Sequence, residues 1–260
     1  MAREMPGFVI LLALLLLGTL PAGGMARAET PSMKCLEPVL SDGLGKVPLF
    51  SAIPLRDSAL GRAWARLAPK ARRDFPRLRI ERPEDLHITL VYIGSGWSPG
   101  QIEAIARDSL IGPKDGILQS SVRPEIFGKN GQVVALRLES VPADWSDRLQ
   151  AAKLRLNEIG LKSPDAFDSS FKPHISLASS RDSMPDPQVM KRFQEWLEDA
   201  GIWNHEFQHL ELSAKNTPEL MLSYRPEEGG PKYTPLRALC PHWESDFSGL
   251  CPDLYRRIPH

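Results

Sequence analysis

At 260 residues, the chain has room for one large domain or two small ones. Its 32 Lys and Arg balance 32 Asp and Glu, which leaves no net field for tracking a long polyanion and makes duplex nucleic acid a poor partner. A small anionic group held by local donors fits this balance.

The first 28 residues read as an export signal. Arg3 gives a weakly positive start, Phe8 to Leu17 (FVILLALLLL) is an apolar run, and Pro21-Ala22-Gly23-Gly24 breaks it. Ala26-Arg27-Ala28 then fits a small-x-small cleavage site. The run is shorter than the ~20 residues that span a bilayer, so removal after Ala28 and a secreted or periplasmic product without a membrane anchor are predicted. Loss of Arg3, Glu4 and Arg27 leaves 30 basic and 31 acidic residues, a net charge of −1. Three cysteines in an exported chain predict one disulfide and one spare thiol. Cys240 with Cys251 closes the shortest loop and is the favoured pair. Cys35 with either of them would join the chain ends.

Residues 29–46, rich in Pro, Ser and Gly, read as a linker, 47–240 as the folded domain and 241–260 as a tail. Pro48 to Leu55 is a predicted strand, and Ser58 to Lys70 a helix with Leu60, Trp64 and Leu67 on one face. Leu78-Arg79-Ile80 leads to Leu86–Ile93 (LHITLVYI), an apolar, β-branched strand stopped at Gly94-Ser95-Gly96. Ser98-Pro99 opens a helix whose stripe is Ile102, Ile105, Ala106 and Leu110. Residues 116–127 and 132–139 form a predicted hairpin through Gly128-Lys129-Asn130-Gly131. Asp144 to Ile159 is a helix ended by Gly160. A strand around His174 precedes a helix, Gln188 to Ala200, with Val189, Phe193 and Trp196 inward. Phe207 to Ala214 and Lys232 to Leu236 read as further strands. The plan on either side of residue 145 is similar, which predicts two like lobes facing one another.

Within this plan, His87-Ile88-Thr89-Leu90 recurs as His174-Ile175-Ser176-Leu177. Side chains alternate between faces of a strand. Each copy therefore sets an imidazole and a hydroxyl on one face, and two aliphatic groups on the other. Two such strands converging on one phosphate would offer two proton carriers and two hydrogen-bond donors. Phe171 and Tyr233 are candidate base-stacking residues, since an aromatic face accepts any nucleobase.

His205-Glu206-Phe207-Gln208-His209 matches the H-E-x-x-H pattern of zinc proteases. That chemistry needs both histidines on one helix face. Gly201 stops the preceding helix and Leu210 to Ala214 alternates as a strand, so no metal site is assigned. A non-catalytic nucleotide binder is a second alternative, and RNA ligation a third.

LFSAIPL at 49–55, DLHITLVYIG at 85–94, FKPHISL at 171–177 and KYTPLRAL at 232–239 occur in an order and spacing that resemble the 2H phosphoesterase superfamily. Within it, the chain is similar to the bacterial 2′-5′ RNA ligase or RNA 2′,3′-cyclic phosphodiesterase family, from about residue 48 to about residue 239. The resemblance implies an α+β, bilobal fold of two antiparallel sheets with flanking helices around a central groove. It also implies a catalytic tetrad of His87, Thr89, His174 and Ser176, with His87 as acid, His174 as base and no cofactor. The expected partner is a nucleotide or short RNA bearing a cyclic phosphate, bound by a monomer. Many members place an arginine soon after the second motif; here Ala178-Ser179-Ser180 intervenes before Arg181.

Overall fold

Two antiparallel sheets carry the structure, and each draws strands from both halves of the chain. The computed structural model describes residues 34–161, 172–182, 184–199, 205–213, 215–226, 228 and 230–241, all within the unit Pro31–His260. A 3-10 helix at Lys34–Val39 leads to β1 (Leu40–Ser41) and β2 (Leu44–Gly45). Next come β3 (Leu49–Pro54), α1 (Ala59–Asp74), β4 (Leu78–Ile80), β5 (His87–Gly94) and α2 (Ile102–Ser109). The hairpin β6 (Leu118–Phe127) and β7 (Val133–Leu138), α3 (Ala143–Glu158), β8 (His174–Ser180) and α4 (Pro187–Glu198) follow. The chain continues through α5 (His205–Gln208), β9 (His209–Leu212), β10 (Glu219–Leu222), β11 (Thr234–Pro235) and α6 (Leu236–Leu239).

The first sheet runs β11-β10-β3-β5 and the second β4-β8-β7-β6-β9. The lobes are therefore not the halves before and after residue 145. β4 pairs with β8 although it precedes β5, and β10 pairs with β3 from the other end of the chain. The α+β architecture of antiparallel sheets flanked by helices is the one expected.

Local chemistry explains the elements around the site. Ser58 caps α1, its hydroxyl accepting from the Gly61 N–H (2.9 Å) and donating to the Leu55 carbonyl (2.7 Å). A Cβ at Gly61 would lie 2.0 Å from that same carbonyl, so only glycine fits. Leu60, Trp64, Ala68 and Ala71 form the buried stripe of α1, with Leu67 at its margin.

Several expectations are corrected. Residues 34–46 are folded where a linker was expected: Leu36 and Val39 lie in the core, and the Gly45 N–H donates to the Trp97 carbonyl (2.5 Å). Phe207 falls in α5, and the strand starts at His209. Only Thr234–Pro235 of the stretch 232–236 is strand, because Leu236 opens α6. β10 had no sequence signal, since all four of its residues are buried and no polar alternation marks it. The disulfide joins Cys35 to Cys240, with Cα atoms 5.5 Å apart, and not Cys240 to Cys251. Leu36 next to Cys35, and Leu236 one turn before Cys240, are both in the core and fix the two ends near each other, so tertiary packing overrides short loop closure. The proposed signal at 1–28, Cys251 and Phe171 lie outside the described residues.

Candidate active site

β5 and β8 are neighbours across the two sheets, and each is built in the same way. His87 and Thr89 are half-buried while Ile88 and Leu90 are in the core; His174 and Ser176 repeat this against Ile175 and Leu177. The last residue of each phrase is a bulge. Ala52 faces Thr89 and Ser51 faces Val91, leaving Leu90 without a partner across the ladder. Ala135 faces Ser176 and Val134 faces Ala178, so Leu177 is left out likewise. A bulge re-aims the side chains beyond it. On β5 it puts Tyr92, opposite Phe50, on the same face as His87 and Thr89.

Both rings are held through Nδ1. His87 Nδ1 lies 2.7 Å from the Asp85 carbonyl, and His174 Nδ1 lies 2.9 Å from the Lys172 carbonyl. A carbonyl only accepts, so each Nδ1 carries a proton and each Nε2 is left to exchange one. The rings are further fixed by aromatic neighbours. Phe127 stacks on His174 at 4.7 Å and 18°. Tyr233 meets His87 edge-on at 4.7 Å, with Phe50 5.2 Å from the same ring. Phe50, Ala52 and Met221 form a small buried cluster with Tyr92 and Tyr233 against it.

Burial and charge both act on the His87 imidazole. Burial pushes His87 down to about 4; the hydrogen bond to Asp85 opposes this, and the charges of Lys232 and His174 add to it. The His174 contribution follows from the contact between β5 and β8. Burial also disfavours the Lys232 ammonium, yet Tyr233 and Glu81 beside it hold its pKa above the ordinary value. Lys232 Nζ is 3.5 Å from Glu81 Oε1 and 4.7 Å from the centre of the Tyr233 ring.

The structure thus gathers His87, Thr89 and Tyr233 at one sheet and His174 and Ser176 at the adjoining strand of the other. Arg181 follows the end of β8 and donates through Nε to the Leu78 carbonyl (3.3 Å), tying it to β4. In the H-E-x-x-H stretch, α5 ends at Gln208 and His209 opens β9, so the two histidines do not share one continuous helix. The sequence reading missed Phe50, Tyr92, Phe127 and Lys232. Phe50 and Tyr92 could have been found from strand alternation only with the bulge known, while Phe127 and Lys232 reach the site through tertiary packing.

No protein-family model matches the chain, and no curated protein does. Among solved structures, TT0787 of Thermus thermophilus aligns with a TM-score of 0.50 at 20% identity, covering 73% of this chain and 94% of its own. The fold is shared with TT0787. A structure described as a phosphoesterase aligns with a TM-score of 0.48 at 18% identity, covering 73% of this chain and 95% of that one. LigT of E. coli complexed with 3′-AMP aligns at 0.46 and 17% identity, covering 73% and 94%. The likeness to TT0787 concerns the fold alone.

Proposed function

We propose that the chain is a metal-independent phosphodiesterase that opens 2′,3′-cyclic phosphates on nucleotides or at RNA ends. The observation that carries this reading is the matched pair of imidazoles, each with Nδ1 tied to a main-chain carbonyl and Nε2 left for proton exchange. Two such groups suffice for general acid–base hydrolysis, with each role contributing about 10²- to 10⁴-fold.

In this reading, neutral His87 accepts a proton from water as the water oxygen bonds to phosphorus. Protonated His174 gives its Nε2 proton to the departing ribose oxygen as the P–O bond breaks, leaving a phosphomonoester and a free hydroxyl. Thr89 and Ser176 donate to the non-bridging oxygens, where charge builds in the transition state. This reverses the division implied by family resemblance. Burial and the Lys232 charge favour neutral His87, the form a base requires. Tyr233 is proposed to stack on the base. Phe171 retains the same proposed role from the sequence.

Export with removal of residues 1–28 remains part of the proposal, and the Cys35–Cys240 disulfide supports an oxidising compartment. N-terminal sequencing of secreted protein tests it, and a chain starting at Met1 refutes it. For the chemistry, 2′,3′-cyclic mononucleotides, short RNAs with cyclic ends and 2′-5′ linked oligonucleotides are offered in the presence of a chelator. Conversion of the cyclic substrates to monoesters is expected. Tight binding without turnover would instead favour a nucleotide-binding protein.

A further inference from the structure

The stretch entering His87 grips a distant segment, 230–233, with its own side chains. Arg82 Nη1 donates to the Gly230 carbonyl (3.1 Å). One oxygen of the Asp85 carboxylate accepts the N–H of Lys232 (2.6 Å) and that of Tyr233 (3.3 Å). Glu81 meets the Lys232 ammonium. The segment so fixed is the one that sets Tyr233 against the His87 ring. Asp85 is only 5% exposed, and a carboxylate that deep is tolerated only when its oxygens are satisfied. Its main-chain carbonyl is also the acceptor for His87 Nδ1.

We propose that Asp85 is a positioning residue for His87, acting on the ring through both its main chain and its side chain. Its carbonyl fixes the tautomer, and its carboxylate fixes the Lys232–Tyr233 wall that shields the imidazole and keeps a cation beside it. Among the described residues, the second histidine has no counterpart to this device. Lys172 occupies the equivalent place two residues before His174, gives the same carbonyl bond, and has an exposed side chain with no carboxylate. Asp85 thus gives His87 a hold on its surroundings that Lys172 does not give His174. The proposal rests on His87 as a proton carrier and adds what determines its state.

The test reads the ring itself. Ring-nitrogen NMR of labelled protein is followed against pH in the wild type, Asp85→Ala and Asp85→Asn. The titratable and charged groups around the ring are Lys232 and His174, with Arg82 behind them and the carboxyls of Glu81 and Asp85, both pushed up by burial and titrating themselves in the acid range. Wild-type His87 is expected to keep its proton on Nδ1 and to titrate at about 4. In Asp85→Ala the tautomer stays, but the midpoint rises by about 1 to 2 units toward the ordinary ~6.5 as the wall loosens. Asp85→Asn, whose amide oxygen still accepts both N–H groups, keeps the low midpoint. An unmoved midpoint in folded Asp85→Ala overturns the proposal, as does an equal rise in Asp85→Asn. If Asp85→Ala does not fold, Asp85→Ser, too short to reach both amides, takes its place under the same criteria.

Turnover of a cyclic nucleotide is measured alongside, with kcat expected to fall more than KM changes in Asp85→Ala and to recover in Asp85→Asn. A shifted midpoint in a protein that hydrolyses none of the substrates would leave the positioning role standing and refute the reaction. A normal midpoint response with a kcat unchanged across the variants would refute the catalytic consequence.

Discussion

His87 and His174 make the same hydrogen bond, each from Nδ1 to the carbonyl two residues upstream, at 2.7 and 2.9 Å. Each also sits three residues before a bulged leucine. The repetition in sequence is thus a repetition of backbone geometry, extending to the atoms that orient the rings. If both act in one step, His87→Ala and His174→Ala each lower kcat by about 10²- to 10⁴-fold. The double variant is expected to be little worse than the poorer single one, because the pair works as a unit. Steady-state rates on one cyclic mononucleotide check this, and wild-type turnover by the double variant rules the pair out.

The pH profile separates the two histidines. As the proposed base, His87 must be neutral to accept a proton, and its pKa is pushed down to about 4, so activity should persist on the acid side until about pH 4. An ordinary imidazole base would lose it near pH ~6.5. Removing the Lys232 charge makes protonation easier and raises the pKa, so Lys232→Met should move the acidic limb of kcat/KM upward. A limb that stays in place would show that Lys232 does not govern the base.

In the proposed reaction, Thr89→Val and Ser176→Ala each remove a donor to the developing charge while leaving both imidazoles. Each is expected to lower kcat by about 10- to 10³-fold with a smaller change in KM, since the donor matters most in the transition state. A change confined to KM would assign the hydroxyls to ground-state binding.

Much of this site was legible in the sequence because it depends on strand alternation. His87 with Thr89, and His174 with Ser176, sit where a period of two puts them. What stayed hidden depends on register and on partners remote in sequence. Tyr92 shares the site face only because Leu90 bulges out of the ladder, and no propensity marks that position. The alternation of β10 is erased by burial on both sides. The disulfide was misread because loop length says nothing about where the packed core brings Cys35 and α6.

The Cys35–Cys240 bond links residues 205 apart, and it closes a loop large enough for its loss to matter. Cys35→Ser is expected to cost about 2–5 kcal/mol of stability, read by denaturant unfolding without reductant. An equal midpoint for the variant and the oxidised wild type would mean that the crosslink is energetically idle.

Gly61→Ala places a methyl group against the Leu55 carbonyl at the first turn of α1. The backbone there has no room to yield, so a loss of about 1–3 kcal/mol is expected from overpacking, with a lower Tm as the readout. An unchanged Tm would show that the turn can open without cost.

The interleaving of β4 with β8 and of β10 with β3 means that neither histidine strand completes its surroundings from its own half of the polypeptide. A fragment severed near residue 145 would carry β5 without the strand that backs β3, and its complement would carry β8 without its edge neighbour. Each imidazole therefore depends on residues synthesised long before or long after it. Cutting the chain there separates each imidazole from part of the sheet that holds it.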